Sequence, residues 1–222
     1  MSNLLNQIAL YRGTDKSSEI HNYCNKYEKY LPFKRDAELN ILEIGVLNGE
    51  SLRTWRDYYY RAKILGIDIN PECKEHENNQ SRIFVEIGSQ VDPDFLSGIS
   101  ETYGPFDMIL DDGSHMNTHM IYSFEHLWSQ VNSGGVYVIE DIGCSYWDDY
   151  EGGFRKSTSA VEYFKRLCDD VNFRGVLNFS QNNVHARRED WCIGTVSQEQ
   201  PDCRTDIESI NFLNGIIIIT KR

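Results

Sequence analysis

Phe106-Asp107-Met108-Ile109-Leu110-Asp111-Asp112-Gly113-Ser114-His115 is an apolar run that breaks off into two carboxylates, a glycine, a hydroxyl and an imidazole. The pattern recurs at Gly135-Val136-Tyr137-Val138-Ile139-Glu140-Asp141, where apolar residues are again closed by a pair of acids. Apolar runs of this kind suit strands covered on both faces, as in parallel sheets. Between them, Met120, Ile121, Phe124, Leu127, Trp128 and Val131 recur at helical spacing. Strand, helix and strand form one βαβ unit, and its right-handed crossover sets both strand ends on the same edge of the sheet. Neighbouring strands lie about 4.8 Å apart, so Asp112, Glu140 and Asp141 are expected within reach of one bound ion. Three close carboxylates repel one another and require either a cation or raised pKa values. An all-oxygen set favours magnesium, calcium or manganese over zinc. Acids that simply end strands in solvated loops would give the same spacing.

Working towards the N-terminus, Asn40-Ile41-Leu42-Glu43-Ile44-Gly45-Val46-Leu47-Asn48-Gly49-Glu50-Ser51 reads as a strand, a glycine turn and a helix running from Ser51 towards Tyr59. Its spacing is Glu-x-Gly-x-x-x-Gly, unlike the Gly-x-Gly-x-x-Gly that brings pyrophosphate to a helix N-terminus. An acid two residues before the first glycine repels phosphate and suits a ligand with cationic groups. Lys63 to Ile69 gives a second strand ending at Asp68, where doubly wound folds place an acid on ribose hydroxyls. A third strand, Arg82 to Ile87, leads into Gly88-Ser89-Gln90, a turn able to reach the edge of a purine. Asp92-Pro93 opens a short helix, with proline at a first-turn position.

The first 36 residues are polar and aromatic and are expected to form a helical cap, residues 1–36, on a single compact domain, residues 37–222. Tyr23, Tyr27 and Tyr30 share one face of a helix expected to begin near Ser17 or Ser18, and the Thr14-Asp15-Lys16 turn is placed to close over a ligand. Towards the C-terminus, Ser157 or Thr158 is expected to cap a helix through Ala160, Phe164 and Val171, and residues 174–184 and 210–220 to supply late strands. The aromatic loop from Cys144 to Phe154 is expected to overhang the site. His119 and His126 are expected on a solvated helix face.

A chain of 222 residues with a formal net charge of −12 is long enough for one substantial core, and its charge disfavours nucleic acid or an anionic membrane as partner. The six cysteines show no paired spacing and read as free thiols of a reducing cytosol. Met1 to Leu10 lacks the features of a signal peptide, and Ile216 to Ile219 is far shorter than a membrane span. The expectation is a soluble, cytoplasmic protein with no membrane partner.

The series Gly13-Thr14-Asp15-Lys16, His21, Tyr23, Leu42-Glu43-Ile44-Gly45, Gly66-Ile67-Asp68, Asp111-Asp112-Gly113-Ser114-His115, Ile139-Glu140-Asp141 and Ser145-Tyr146-Trp147 resembles the class I S-adenosylmethionine-dependent, metal-dependent O-methyltransferases that act on sugars of macrolides and related glycosides. The likeness runs from about residue 11 to residue 221. It implies an α/β fold: a doubly wound, Rossmann-like sheet of seven mostly parallel strands, with helices on both faces and an antiparallel C-terminal strand. It also implies methyl transfer to a hydroxyl of a sugar or glycoside, with S-adenosylmethionine and Mg2+ or Mn2+ as cofactors. By the same resemblance Asp112, Glu140 and Asp141 hold the metal and His115 is the general base. Thr14, Lys16, Glu43, Gly45, Gly49, Ser51, Asp68, Gln90 and Asp111 would contact the cofactor, and Tyr146 and Trp147 the acceptor. Where this family usually carries Gly-Asp-Gln and a threonine, the chain has Gly88-Ser89-Gln90 and Cys144. The competing readings are the same fold with a non-sugar acceptor, a nucleotide-dependent oxidoreductase, and a cofactor-binding protein without turnover. A homo-oligomer is compatible with any of them.

Overall fold

The computed structural model describes residues 3–172 and 204–222. Its sheet has the strands β1 (Asn40–Ile44), β2 (Lys63–Asp68), β3 (Ile83–Ile87), β4 (Phe106–Asp111), β5 (Val131–Ile139), β6 (Ile207–Leu213) and β7 (Ile216–Lys221), in the order β3-β2-β1-β4-β5-β7-β6. β1 to β5 are parallel, and β7 runs antiparallel to both β5 and β6. The strand order reverses between β1 and β4, so the crevice beyond their C-terminal ends is where an open α/β sheet binds ligands.

The apolar runs are continuous because both faces of the sheet are covered. Ile41, Met108, Leu110, Val136, Val138, Ile216 and Ile218 join one core, and Leu42, Ile44, Ile109, Tyr137, Ile139, Ile217 and Ile219 join the other. The alternation is the period-2 geometry of a strand read against two hydrophobic layers. Helix α1 (Leu4–Arg12) and helix α2 (Tyr23–Tyr30) lie on the first layer with α3 (Glu50–Tyr58) and supply Leu5, Ala9, Tyr23, Cys24 and Tyr27 to the same core as β1. Helices α4 (Pro93–Tyr103), α5 (Asn117–Leu127) and α6 (Ala160–Arg166) cover the second layer, where Phe124 packs edge-on against Tyr137, Tyr163 and Phe164. A short helix α7 (Cys168–Val171) follows.

Several boundaries differ from the sequence reading. α2 begins at Tyr23, because Ser17 and Asn22 are engaged in turns and Asn22 stands in the left-handed region at φ 57°. Val131 continues the apolar stripe of α5 in sequence but opens β5, after a single 3-10 turn at Trp128–Gln130. The stretch 210–220 is not one strand. Asn214-Gly215, with Gly215 at φ 83°, folds it into the β6–β7 hairpin. These two strands complete seven, while the strand expected at 174–184 lies outside the described residues, as do His185, Cys192 and Cys203. Cys24, Cys73, Cys144 and Cys168 are free thiols. Among the described residues, no helix is long and apolar enough to cross a membrane.

Candidate active site

The site begins with a backbone approach that only glycine permits. Ile44 of β1 pairs with Asp111 of β4, the Asp112 N–H donates to the Ile44 carbonyl at 2.9 Å, and the Glu140 N–H donates to the Asp111 carbonyl at 2.9 Å. Gly45 stands at φ 94°, and a Cβ there would lie 2.1 Å from the Asp112 carbonyl oxygen. The ends of β1, β4 and β5 are thereby laced together, which carries Glu43, Asp112, Glu140 and Asp141 to one edge. His115 and Asp141 both sit at positive φ, 58° and 48°. Left-handed backbone at non-glycine residues persists where the surrounding structure over-determines it.

Two cavities open beyond these strand ends and share Gly45, Asp68 and Gly113. The smaller, about 210 Å³, is walled by Ile44, Ile67 and Ile69 and edged by Ser89, Gln90, Ser114 and His119. The larger, about 460 Å³, is lined by Thr14, Lys16, Glu43, Ser51, Asp112, His115 and Asp141 among others. Asp68 stands at their junction, accepting from the N–H groups of Val46 at 2.8 Å, Leu47 at 3.3 Å and Asn70 at 2.8 Å. Burial alone would raise its pKa, but those three donors hold the carboxyl below its usual range.

Gly49 shapes the turn without lining either cavity. It starts α3 at φ 70°, and a Cβ there would lie 2.9 Å from the His76 ring. Glu43 is fully buried, with one carboxylate oxygen 3.5 Å from the Lys16 ammonium and the Ser51 hydroxyl beside it, and among the described residues neither oxygen has a close hydrogen bond. Burial pushes the Glu43 carboxyl up to about 7, against the opposing pull of Lys16. A buried carboxylate that lines a cavity and is held only loosely by its own lysine can take a cationic ligand group as well.

Gln90, at the edge of the smaller cavity, is braced from behind by Asp111. Gln90 donates through Nε2 to Asp111 at 3.1 Å and to Ser123 Oγ at 2.8 Å, and its Oε1 accepts from the Ser114 N–H at 2.8 Å. Asp111, expected to contact the cofactor, is buried, lines neither cavity and accepts from Gln90. Its role in this geometry is to hold Gln90. Burial pushes the Asp111 carboxyl up to about 7, despite hydrogen bonds from Gly113, Gln90 and Ser123 that lower it. The native chain therefore keeps a proton there that an unfolded aspartate, with a pKa of about 3.9, has already released. The stability this contributes is complete below about pH 4 and is lost as pH rises through 7. Asp111→Asn is expected to flatten the fall in melting temperature between pH 5 and pH 8; an unchanged slope would show that Asp111 is ionised throughout.

The expected metal ligands divide into two groups. One ligand atom each from Asp112, His115 and Asp141 lies within 4.8 Å of the others. The His115 Nε2 is 3.9 Å from Asp112 Oδ1 and 3.7 Å from Asp141 Oδ2. Glu140 is turned away from this cluster and buried, with Oε2 accepting from Lys16 Nζ at 2.8 Å and Oε1 from the Tyr27 hydroxyl. The Lys16 ammonium also bonds Asp112 and stands 3.5 Å from Glu43, so it bridges the two groups. Burial alone would lower the Lys16 pKa, but Asp112, Glu140 and Glu43 together hold it well above its ordinary value. Tyr23 completes the cover by donating to Asp141 Oδ1 at 2.6 Å.

The sequence reading missed His119, Tyr23 and Tyr27 as polar partners of the site. His119 faces the smaller cavity with Nδ1 2.8 Å from Ser114 Oγ, whereas His126 stacks on Tyr122 as expected of a helix surface. A tyrosine hydroxyl on a buried helix face needs an acceptor, and that was the available signal for Tyr27. Tyr146 and Trp147 are 46% and 58% exposed and lie outside both cavities. Tyr150 spans the gap, its ring 6.5 Å from His115 and 5.9 Å from Trp147. The loop is fastened to α5 by Asn117 Nδ2, which donates to the Tyr150 carbonyl at 2.6 Å, and by Thr118 Oγ1, which donates to Glu151 at 2.6 Å.

Residues 42–142, which hold the glycine turn and every one of the clustered acids, match a family model described as a methyltransferase domain. The chain carries a methyltransferase domain. The chain is 35% identical over 173 residues to the 8-demethyl-8-alpha-L-rhamnosyl tetracenomycin-C 2'-O-methyltransferase of Streptomyces olivaceus, covering 74% of this chain and 45% of that protein. It is 38% identical over 177 residues to the demethylmacrocin O-methyltransferase of Streptomyces fradiae, covering 75% of this chain and 44% of the relative. The chain thus spans less than half the length of these curated relatives. Among solved structures, the MycE methyltransferase of the mycinamycin biosynthetic pathway, in complex with Mg and SAH, superposes with a TM-score of 0.79 at 27% identity, over 100% of this chain and 55% of that one. The seven-stranded sheet with its antiparallel C-terminal strands is the class I methyltransferase fold.

Proposed function

We propose that this methyltransferase domain transfers a methyl group from S-adenosylmethionine to a hydroxyl of a sugar or glycoside, assisted by a divalent metal ion. The observation that carries the reading is the convergence of Asp112, His115 and Asp141 on one point at the edge of a cavity that the buried Glu43 carboxylate also lines.

The residues fit such a donor. The isoleucine walls of the smaller cavity suit the faces of a purine, and Asp68 retains lone pairs for ribose hydroxyls where the two cavities meet. Glu43, Ser51 and Thr14 would meet the amino-acid end in the larger cavity. The residues also fit a hard dication, since carboxylates dominate the cluster. Asp112 and Asp141 would hold it, with Glu140 alongside on the far side of Lys16.

When bound, the sulfonium supplies the methyl group, and the metal lowers the pKa of the acceptor hydroxyl. The chain supplies the rest. His115 receives the acceptor proton at Nε2, and Asp112 and Asp141, flanking that nitrogen, stabilise the imidazolium that results. Tyr150 and Trp147 offer a line of ring faces outward from His115, suited to the C–H faces of a sugar, and the exposed Tyr146, beside Phe154, would add a further ring face for the acceptor. Lys16, Tyr23 and Tyr27 close the opposite side and exclude water from the carboxylates.

The test is calorimetric titration of S-adenosylmethionine into the purified chain, followed by mass spectrometry of a panel of glycosides with and without a chelator. Cofactor binding and a one-methyl mass gain that is lost with chelator and restored by Mg2+ are expected. Absence of cofactor binding would overturn the reading, and transfer indifferent to chelator would remove the metal from it.

A further inference from the structure

Each of the three acids proposed as metal ligands is gripped by a side chain from residues 14–27. Lys16 holds Asp112 and Glu140, Tyr27 also holds Glu140, and Tyr23 holds Asp141. An ammonium 2% exposed and seated between carboxylates from β4 and β5 already does electrostatically what a dication would do there. Beside it stands Glu43, 3.5 Å from the ammonium and with both oxygens free of hydrogen bonds among the described residues. A fully buried carboxylate is rarely held so loosely, and this one, beside Ser51, lies one short displacement of the lysine head away.

We infer that Lys16 is a tethered counter-cation: it fills the carboxylate cluster when no metal is bound, and a divalent ion displaces it onto Glu43. This rests on reading Asp112, Glu140 and Asp141 as metal ligands. Displacement frees the Glu140 oxygen that now faces Lys16, which reunites the acid with Asp112 and Asp141. It costs no buried charge, because the ammonium passes from one carboxylate pair to a third carboxylate already in contact. Glu43 has lone pairs enough to take the lysine and still face the cavity. Seating of residues 14–27 and metal loading are then linked, since the same oxygens serve both.

The experiment is calorimetric titration of Mg2+ into the metal-free chain, without methyl donor, for the unaltered protein and for Lys16→Met, Glu43→Gln and the double variant. Lys16→Met keeps the length of the side chain and removes the competitor, so Mg2+ is expected to bind about tenfold more tightly or better. Glu43→Gln removes the receiving seat; it is expected to weaken Mg2+ binding while Lys16 is present and to have no effect in the Lys16→Met background. Equal or weaker Mg2+ binding in Lys16→Met would overturn the inference, leaving the lysine as fixed support for the acids. Should Lys16→Met fail to fold, an unaltered Mg2+ affinity in Glu43→Gln alone would overturn it equally. No Mg2+ binding by any of the four proteins would remove the metal reading itself, and the role of Lys16 with it.

Discussion

Asp112→Asn is expected to slow methyl transfer by about 10³-fold or more, since a metal acting on an alcohol is worth several kcal/mol of charge stabilisation. The substitution keeps the shape of the side chain and the Asp112 N–H bond to Ile44 that ties β4 to β1, so the strand ends stay in place. What it removes is the negative charge shared by His115 and Lys16. Without that charge the cluster retains Asp141 alone at its centre, and the buried ammonium loses one of its partners. Single-turnover rates at saturating donor, read beside the melting temperature, separate loss of chemistry from loss of fold. A rate within tenfold of the unaltered chain would place the ion elsewhere.

The second large effect is at His115. General-base catalysis contributes about 10²–10⁴-fold, and removal of the imidazole should cost that much in kcat. Asparagine is the better replacement than alanine, because residue 115 stands at φ 58°, where asparagine is tolerated and alanine is strained. His115→Asn is therefore expected to lose rate while retaining donor affinity, because the ring lies beside Asp112 and Asp141, away from the purine-sized cavity walled by the isoleucines. Donor affinity falling in parallel with kcat would give His115 a binding role instead.

The fold was legible wherever one physical signal dominated. Apolar runs closed by acids marked β2, β4 and β5, and the asymmetric Glu43-x-Gly45 turn marked the end of β1 and distinguished this edge from a phosphate-binding one. Legibility failed where two signals competed. Val131 continues the helical stripe of α5, yet it is captured by pairing with Phe106, and Asn214-Gly215 divides a run that hydrophobicity alone joins into a single strand. At the site, the clustered acids and His115 could be read from their positions at strand ends, because backbone direction delivers them. Lys16 and Tyr27 were harder, since their partners lie 96 and 113 residues away and the contacts depend on how α2 settles onto the first core layer. His119 was misjudged for a related reason: a helix surface position is solvated only if no loop folds over it, and the Gly113-Ser114 turn, drawn in by Gln90, does so here.

The central claim is that acids from β4 and β5 hold a divalent ion at the rim of the cavity. The most direct measurement is anomalous diffraction from crystals grown with Mn2+ and S-adenosylhomocysteine. The account predicts one strong peak bonded to oxygens of Asp112 and Asp141, at about 2.0–2.4 Å, with Glu140 drawn in and the Lys16 ammonium moved off it. No peak at those oxygens, with Lys16 still seated between Asp112 and Glu140, would contradict it.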